Sequence, residues 1–334
     1  MSERLTFGVT LQADPPVSRM VETAKLAEDN GFSHAWMWDS HVLWQEVTPI
    51  FALMATNTER IRLGPCVTNP ATRDPTVIAS SMATLNEISG DRMDMGIGRG
   101  DSARRVIGKT PVTIERLEWA IRLISDLAQG REVEYEGTSV QLKWAQGTLP
   151  IWVAAYGPKA LRLAGRVGDG VVIQLADPYL IEWFLRYVRE GAEEAGRRFE
   201  DIKVMAAAPA YVTDDVEGAR ALVRWFPALV SNHVVDLVKR YEPTDLPQEL
   251  IDYIKAREHY DYQEHGRVGA EHAGFVTDEV VDRFCVLGTA EQCKSKLRNL
   301  QAVGVHHFNI YTAWGSDPEG VIRSFGKGVI PAFR

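Results

Sequence analysis

The stretch "LPIWVAAYGPKALRLAGRVGDGVVIQLA", residues 149–176, sets two short apolar runs around one helical pattern. "LPIWVAA" (149–155) and "GVVIQLA" (170–176) read as strands, apolar throughout as strands covered on both faces must be. Between them, Gly157 and Pro158 open "GPKALRLAGRVG", with proline in the first turn where its missing N–H costs nothing. A strand, a covering helix and a second two-face-buried strand make a parallel crossover unit.

The same unit recurs to either side. On the N-terminal side, "LTFGVTL" (5–11), "HAWMWD" (34–39), "IRLGPCV" (61–67) and "RMDMGIG" (92–98) read as strands. Helical patterns separate them: Val17, Met20, Val21, Ala24 and Ala27 share one side, "PIFALMATNT" (49–58) follows strand two, and another helix begins at Asp74-Pro75. A helix after Pro111 carries Ile114, Leu117, Ile121 and Ile124. On the C-terminal side come the helix in "DPYLIEWFLRYVREGAEEAG", a strand in "IKVMAAAPAYV" (202–212), the helix "TAEQCKSKLRNLQAVG" and an eighth strand, "VHHFNIYT". Eight strand–helix units predict an α/β fold, a (β/α)8 TIM barrel, with a doubly wound open sheet as the structural alternative.

One region breaks the rhythm. Residues 213 to about 285 are too long for a single barrel helix and contain "VRWFPALVSNHVVDLVKRY" and "QELIDYIKAREHYDYQEHG". They read as an extra helical insertion between strands 7 and 8, inside one domain spanning 1–334. Its histidines (His233, His259, His265, His272) read as solvated helix faces and not as a metal site. Its aromatics (Trp225, Tyr241, Tyr253, Tyr260, Tyr262) either line a pocket or pack.

Composition narrows the function. The 334 residues are 45% hydrophobic and 25% charged, enough for a large core, and the net charge of −8 is spread evenly, which does not suit nucleic acid. The start "SERLTFG" does not read as a leader and no apolar stretch has membrane length, so a cytoplasmic protein without membrane association is expected. Cys66, Cys285 and Cys293 have no metal spacing, so no metal is expected; they read as packed free thiols, with a Cys285–Cys293 bridge as the alternative.

Active sites of such barrels sit at the C-terminal strand ends. "MWDSHVLW" (37–44) places Asp39, His41 and Trp44 after strand two. Strand three ends in "GPCVTNP", strand four in "GIGRGDSARR" and strand five in "AAYGPKA". Glycine there lets backbone approach a ligand. The helix start at Gly157-Pro158, with Lys159 beside it, suits an anion such as phosphate. "GIGRGD" lacks the last glycine of a dinucleotide loop, since Asp101 stands in its place, and no nucleophile elbow or zinc-protease motif is present. Asp101 is either a helix cap or a carboxylate at the barrel mouth.

Taken together, these stretches resemble the bacterial-luciferase-like superfamily of flavin and deazaflavin oxidoreductases, in particular its branch dependent on coenzyme F420. "WDSHVLW", "RIRLGPCVTNPATRDPTVIAS", "LNEISGDRMDMGIGRGD", "PIWVAAYGPKALRLAGRVGDGVV" and "LGTAEQCKSKLRNLQAVGVHHFNI" carry the likeness, in order along the chain. The resemblance implies a bulge after strand three with a non-proline cis peptide behind the deazaflavin ring, matching Cys66–Val67 and followed by Thr68. It implies cofactor contacts from Gly98, Arg99 and Gly100, and a phosphate-binding segment covering Ala155, Gly157, Pro158 and Lys159. It aligns His41 with a histidine near the reactive carbon C5, Trp44 with a tryptophan of sugar-phosphate dehydrogenases, and Asp101 with an acid. Relatives commonly read Asp-His after strand two, whereas here Ser40 follows Asp39.

The expected function is therefore F420-dependent hydride transfer to or from a small organic molecule, with His41, Trp44 and Asp101 as catalytic candidates. An FMN-dependent monooxygenase using oxygen is the alternative, and a non-catalytic flavin-binding barrel is the third reading. The basic residues Arg99, Arg104 and Arg105 suit the acidic tail of F420. The resemblance also implies a homodimer.

Overall fold

The computed structural model of the chain describes residues 4–231, 252, 255, 261–313 and 315–334. Its first strands are β1 (Thr6–Leu11), β2 (His34–Met37), β3 (Arg62–Pro65) and β4 (Met95–Ile97). A small hairpin, β5 (Val133–Tyr135) and β6 (Thr138–Val140), precedes β7 (Ile151–Ala154), β8 (Gly170–Ile173) and β9 (Lys203–Ala208). β10 (Ala210–Val212), β11 (Val286–Gly288) and β12 (His307–Tyr311) complete the strands among the described residues. The intervening helices are α1 (Val17–Asp29), α2 (Val47–Asn57), α3 (Pro75–Ser89), α4 (Ser102–Arg105), α5 (Ile114–Ala128), α6 (Pro158–Val167), α7 (Pro178–Glu194) and α8 (Val216–Val223).

Eight strands pair in the order β3-β2-β1-β12-β9-β8-β7-β4. The parallel bridges Leu63–Met93 and Thr68–Ile97 bring the two ends of this sheet together, so it is a nearly closed barrel and not an open doubly wound sheet. The reason is visible in the strands themselves: β2, β8 and β9 bury nearly every residue, one face against the helices and the other inside the barrel. The helices supply the outer layer through one apolar stripe each. In α5, Leu117, Ala120, Ile121, Ile124 and Leu127 are buried, and Thr113 caps the helix by accepting from the Arg116 amide. Asp74 and Asp177 cap α3 and α7 in the same way, each followed by proline.

Three differences from the sequence reading have local causes. The expected strand 202–212 is two strands, because Pro209 has no N–H to continue the ladder. β10 leaves the barrel and pairs with β11 in a separate two-stranded parallel sheet. The β5–β6 hairpin and a C-terminal helix, Pro318–Gly328, were not anticipated. Of the inserted region, α8, a helical segment at 225–231, short turns at Tyr262–Glu264 and Glu271–Ala273 and the helix Asp278–Phe284 are described. His233, Tyr241, Tyr253, His259 and Tyr260 lie outside the described residues. All three cysteines are buried and free. Among the described residues, no helix is long and apolar enough to cross a membrane and no group of side chains is arranged to hold a metal.

At the N-terminal end of the strands, a polar plug fills the barrel. His34 Nε2 lies 3.1 Å from Asp94 Oδ2, Trp152 Nε1 donates to the same oxygen at 3.0 Å, and Arg62 pairs with Asp94 Oδ1. Trp36 Nε1 donates to His307 Nε2 at 3.4 Å, and Thr6 Oγ1 lies 2.8 Å from His307 Nδ1. With this end sealed, a ligand enters from the other.

Candidate active site

At the C-terminal end, the strand ends open into a cleft of about 1360 Å³, counted out to open solvent. Its centre is the end of β3. The peptide bond between Cys66 and Val67 is cis. The next residue is pinned on both sides: Thr68 N donates to Gly96 O and Gly98 N to Thr68 O, each at 2.9 Å. These bonds need a close backbone approach, and glycine provides it. A Cβ on Gly96 would lie 2.5 Å from Pro65 O, and one on Gly98 would lie 3.2 Å from Val67 Cγ2.

Asp39 holds the bulge from the β2 side. Its carboxylate accepts from Thr68 Oγ1 at 2.7 Å and from Arg73 at 2.6 and 2.9 Å. Arg73 also donates to Glu46 at 2.5 Å. Burial alone would weaken the guanidinium's hold on its proton, but the two carboxylates outweigh it and push its pKa up. Burial of Glu46 acts against its charge too, yet Arg73 holds its carboxyl below the ordinary value. Beneath the bulge, Cys66 Sγ lies 3.8 Å from Tyr311 Oη and 3.7 Å from Asn309 Nδ2, and Gln174 donates to Tyr311 Oη at 2.7 Å. Burial pushes the Cys66 thiol up to about 12, so it is a neutral packing group and not a nucleophile.

The barrel order puts β4 and β7 on one side of β3, and β2 on the other. The first side is cationic. Arg99 and Arg105 follow β4, and Lys159 sits in the first turn of α6. Gly157 is the N-cap of α6 and supplies no capping side chain, so the first amides of this ten-residue helix keep their donors for a ligand. Asp101 balances part of the charge by accepting from Arg105 Nε at 2.5 Å.

The other side is aromatic. Trp38 and Trp44, both buried, lie with ring centroids 4.9 Å apart. His265 comes from the inserted region, with its ring 6.4 Å from Trp38 and 6.2 Å from Trp44. Tyr262 stacks on His265 and lies with its hydroxyl 3.5 Å from Asp101 Oδ2. Gln12 Nε2 reaches Gly266 O at 3.4 Å, so the turn that carries His265 is fastened to the barrel at two places.

The cleft gathers most of the residues singled out in the sequence. Asp39, Trp44, Cys66, Val67, Thr68, Gly98, Arg99, Gly100, Asp101, Ala155, Gly157 and Lys159 all line it. Pro158 is buried in the first turn of α6 and does not line it. His41 requires a correction. It is exposed and outside the lining, because the chain turns after Ser40, whose carbonyl accepts from the amides of Leu43 and Trp44. That turn carries Trp44 inward, while Ser40 shares a hydrogen bond with Ser102 at 2.7 Å. Trp38, Ser102, Tyr156, Gln174, Leu229 and His265 also line the cleft and were not anticipated there. Gln174 left a trace, as one polar residue in an apolar strand. His265 left none, since only the return of a distant segment brings it in.

Comparison with known proteins bears on the family and the fold. The family model described as luciferase-like monooxygenase matches residues 4–307. A 5,10-methylenetetrahydromethanopterin reductase of Methanolobus tindarius is 32% identical, over 98% of this chain and all of its own. An F420-dependent glucose-6-phosphate dehydrogenase of Microbacterium testaceum is 26% identical, over 100% of this chain and 99% of its own. The solved structure of the coenzyme F420 dependent tetrahydromethanopterin reductase from Methanopyrus kandleri superposes with a TM-score of 0.76 at 25% identity, over 99% of this chain and 100% of that one.

Proposed function

The chain belongs to the luciferase-like monooxygenase family, and we propose that within it the chain is an oxidoreductase that uses coenzyme F420 on a small organic substrate. The observation that carries this reading is a single cleft joining a glycine-lined bulge to the open N-terminus of α6. A flat ring needs the first, and a phosphate with an acidic tail needs the second. The full-length likeness to a reductase structure and to a dehydrogenase, both named for F420, supports the same choice.

The residues fit such a group. Cys66, Val67 and Gly98 would back the ring, the amides after Gly157 with Lys159 would hold a phosphate, and Arg99 and Arg105 would meet the carboxylates of the tail. When bound, F420 supplies hydride transfer at C5. The protein's part is position, dryness and a proton. Trp38 and Trp44 wall the cleft against water. Among the described lining residues, His265 is the imidazole, and it takes the acid–base role expected of His41, because imidazole is the side chain suited to proton transfer near neutral pH. Asp101 orients the substrate and, with Arg105 and Tyr262, steadies the turn bearing His265.

Titration of the purified chain with F420 and with FMN, followed by cofactor fluorescence, tests the reading. F420 is expected to bind at least about tenfold more tightly than FMN. The reverse order would move the chain to the flavin monooxygenases.

A second copy of the chain is the protein partner we propose. α2 has no charged residue, yet Leu53 on it is 47% exposed, and Val77 on α3 is 52% exposed. Sedimentation should give twice the mass of one chain, and Leu53→Asp should give one.

A further inference from the structure

We propose that residues 100–111, between β4 and α5, are a hinged flap through which the cofactor enters and leaves, latched to the barrel by the hydrogen bond between Ser102 and Ser40. The inference rests on the cofactor reading above for what passes the flap, and on this geometry alone for the flap itself.

The segment is a loop closed on its own base. At its two ends the Val112 amide donates to Arg99 O at 2.9 Å, and Arg99 Nε donates to Val112 O at 2.5 Å. Between them the backbone bonds run inside the segment. The amides of Arg104 and Arg105 donate to Asp101 O, that of Val106 to Ser102 O, those of Ile107 and Lys109 to Arg104 O, and that of Gly108 to Arg105 O. The Arg104 side chain turns inward too, donating to Thr110 O at 2.5 Å. Among the described residues, no backbone group of 101–111 pairs with a barrel strand. Of these residues Ala103 alone is buried, and Ile107 is 40% exposed. A segment that bonds to itself and buries so little apolar surface opens as a unit at small cost. Gly100 supplies the hinge. Its φ is +79°, and a Cβ there would lie 2.9 Å from Asn69 Cγ, so the position needs glycine and gains its freedom to turn.

The same segment is one wall of the cleft, where Gly100, Asp101, Ser102, Ala103, Arg105 and Pro111 line it. Facing it, Ser40 stands in the turn after β2, buried, with its Oγ 2.7 Å from Ser102 Oγ. Ser40 is fixed from its own side, because its carbonyl accepts from the Leu43 and Trp44 amides. Tyr262 of the inserted region meets the flap more loosely, with its hydroxyl 3.5 Å from Asp101 Oδ2. A hydroxyl on the barrel against a hydroxyl on the flap is a neutral bond, which breaks and re-forms without leaving a buried charge behind. Opening it carries Arg105 and Asp101 outward together, since they are bonded to each other, and uncovers the bulge. Closing it returns Arg105 to the cationic side and walls in what has bound there.

The test uses the full chain. Ser40→Ala and Ser102→Ala each remove the latch. The double variant with Ser40→Cys and Ser102→Cys locks it: oxidised glutathione takes two electrons and two protons from the paired thiols as the S–S bond forms, and is reduced to two thiols. The unmodified chain, treated alike, controls for its three buried cysteines. Hydrogen exchange without ligand reads the hinge. Amides of residues 104–109 should exchange about threefold faster or more in each alanine variant, and about tenfold slower or more in the locked one, with β8 and β9 unchanged. Stopped-flow F420 binding reads passage. Association and dissociation should both quicken by about threefold or more in the alanine variants, leaving Kd within about twofold, and both should slow by about a hundredfold in the locked variant and recover on reduction. Serines that merely support the cleft would instead raise Kd and leave association as it was. Unchanged exchange in the alanine variants, thiols that fail to pair, or F420 entering the locked variant at the unmodified rate would overturn the proposal. F420 that does not bind the unmodified chain, beside the expected exchange, defeats the cofactor reading and leaves the hinged flap standing.

Discussion

The two histidines near the mouth of the barrel make opposite claims on the chemistry. His41 is three residues from Trp44 in sequence yet faces solvent, while His265 arrives from a distant segment and lines the cleft. His265→Ala is expected to lower kcat by about two orders of magnitude, the range for loss of a general acid or base. F420 affinity should hold within about twofold, since His265 lies on the aromatic side. His41→Ala should leave turnover within about twofold. Stopped-flow traces of F420 fluorescence give all these values, and a slow His41 variant beside a fast His265 variant would return the role to His41. Asp39 makes a different case. Its side chain is 3% exposed and binds Thr68 and Arg73, so Asp39→Asn should cost about 1–3 kcal/mol in urea unfolding, through bonds that support the bulge. Legibility at this scale followed sequence distance. Asp39, Trp44 and Asp101 each stand within a few residues of a strand end that could be read directly. His265 stands on no strand end, and the periodicity of the inserted region says only that it is helical.

Strand ends are the elements on which the cleft depends, and their glycines separate stability from binding. A Cβ at Gly96 would meet Pro65 O at 2.5 Å and Cys66 Cα at 3.2 Å, both on the backbone of the bulge. Backbone cannot swing aside, so Gly96→Ala should destabilise the fold by about 1–3 kcal/mol. A Cβ at Gly98 would meet side chains alone, Val67 Cγ2 at 3.2 Å and Ala154 Cβ at 3.6 Å. Gly98→Ala should therefore change stability by less than about 1 kcal/mol, yet weaken F420 by about tenfold through the methyl group it adds to the cleft lining. Urea midpoints and cofactor titrations on the two variants resolve the pair, and equal effects on stability would refute the distinction. The glycine-rich strand ends were visible in the sequence as quoted runs. Which glycine faces backbone and which faces the cleft depends on pairing between β3 and β4, and that pairing is a long-range fact.

Across the whole molecule, the barrel was readable because its strands are short and mostly apolar and its helices carry one stripe each, so period separates them. What escaped were two features decided by partners far along the chain, the β10–β11 pair and the polar plug at the closed end, and one local feature, the β5–β6 hairpin, whose short half-exposed strands carry no apolar run. The plug governs the response to acid. His307 is buried against Trp36, Trp152, Thr6 and His34, while Asp94, just before β4, and Arg62, in β3, face His34. Burial, with the charge of His34 as a second cause, holds the His307 pKa well below its ordinary 6.5. Burial works against the Asp94 carboxylate, but His34 and Arg62 outweigh it and lower its pKa. Both shifts act in one direction. Below about pH 6.5 the unfolded chain protonates the released His307 while the folded chain does not, so stability falls as pH falls, by up to about 1.4 kcal/mol per pH unit for this one group. Asp94 adds a further loss once the pH drops below the ordinary range of a carboxylate, where the unfolded chain again binds the extra proton. Urea unfolding at pH 7.5 and 5.5 should show the lower midpoint at 5.5, with an unchanged m-value. His307→Gln should be less stable at pH 7.5, because an amide replaces a fitted imidazole, and should lose part of the slope between pH 6.5 and 5.5. A variant that keeps the full slope would place the titration elsewhere and leave the plug as packing alone.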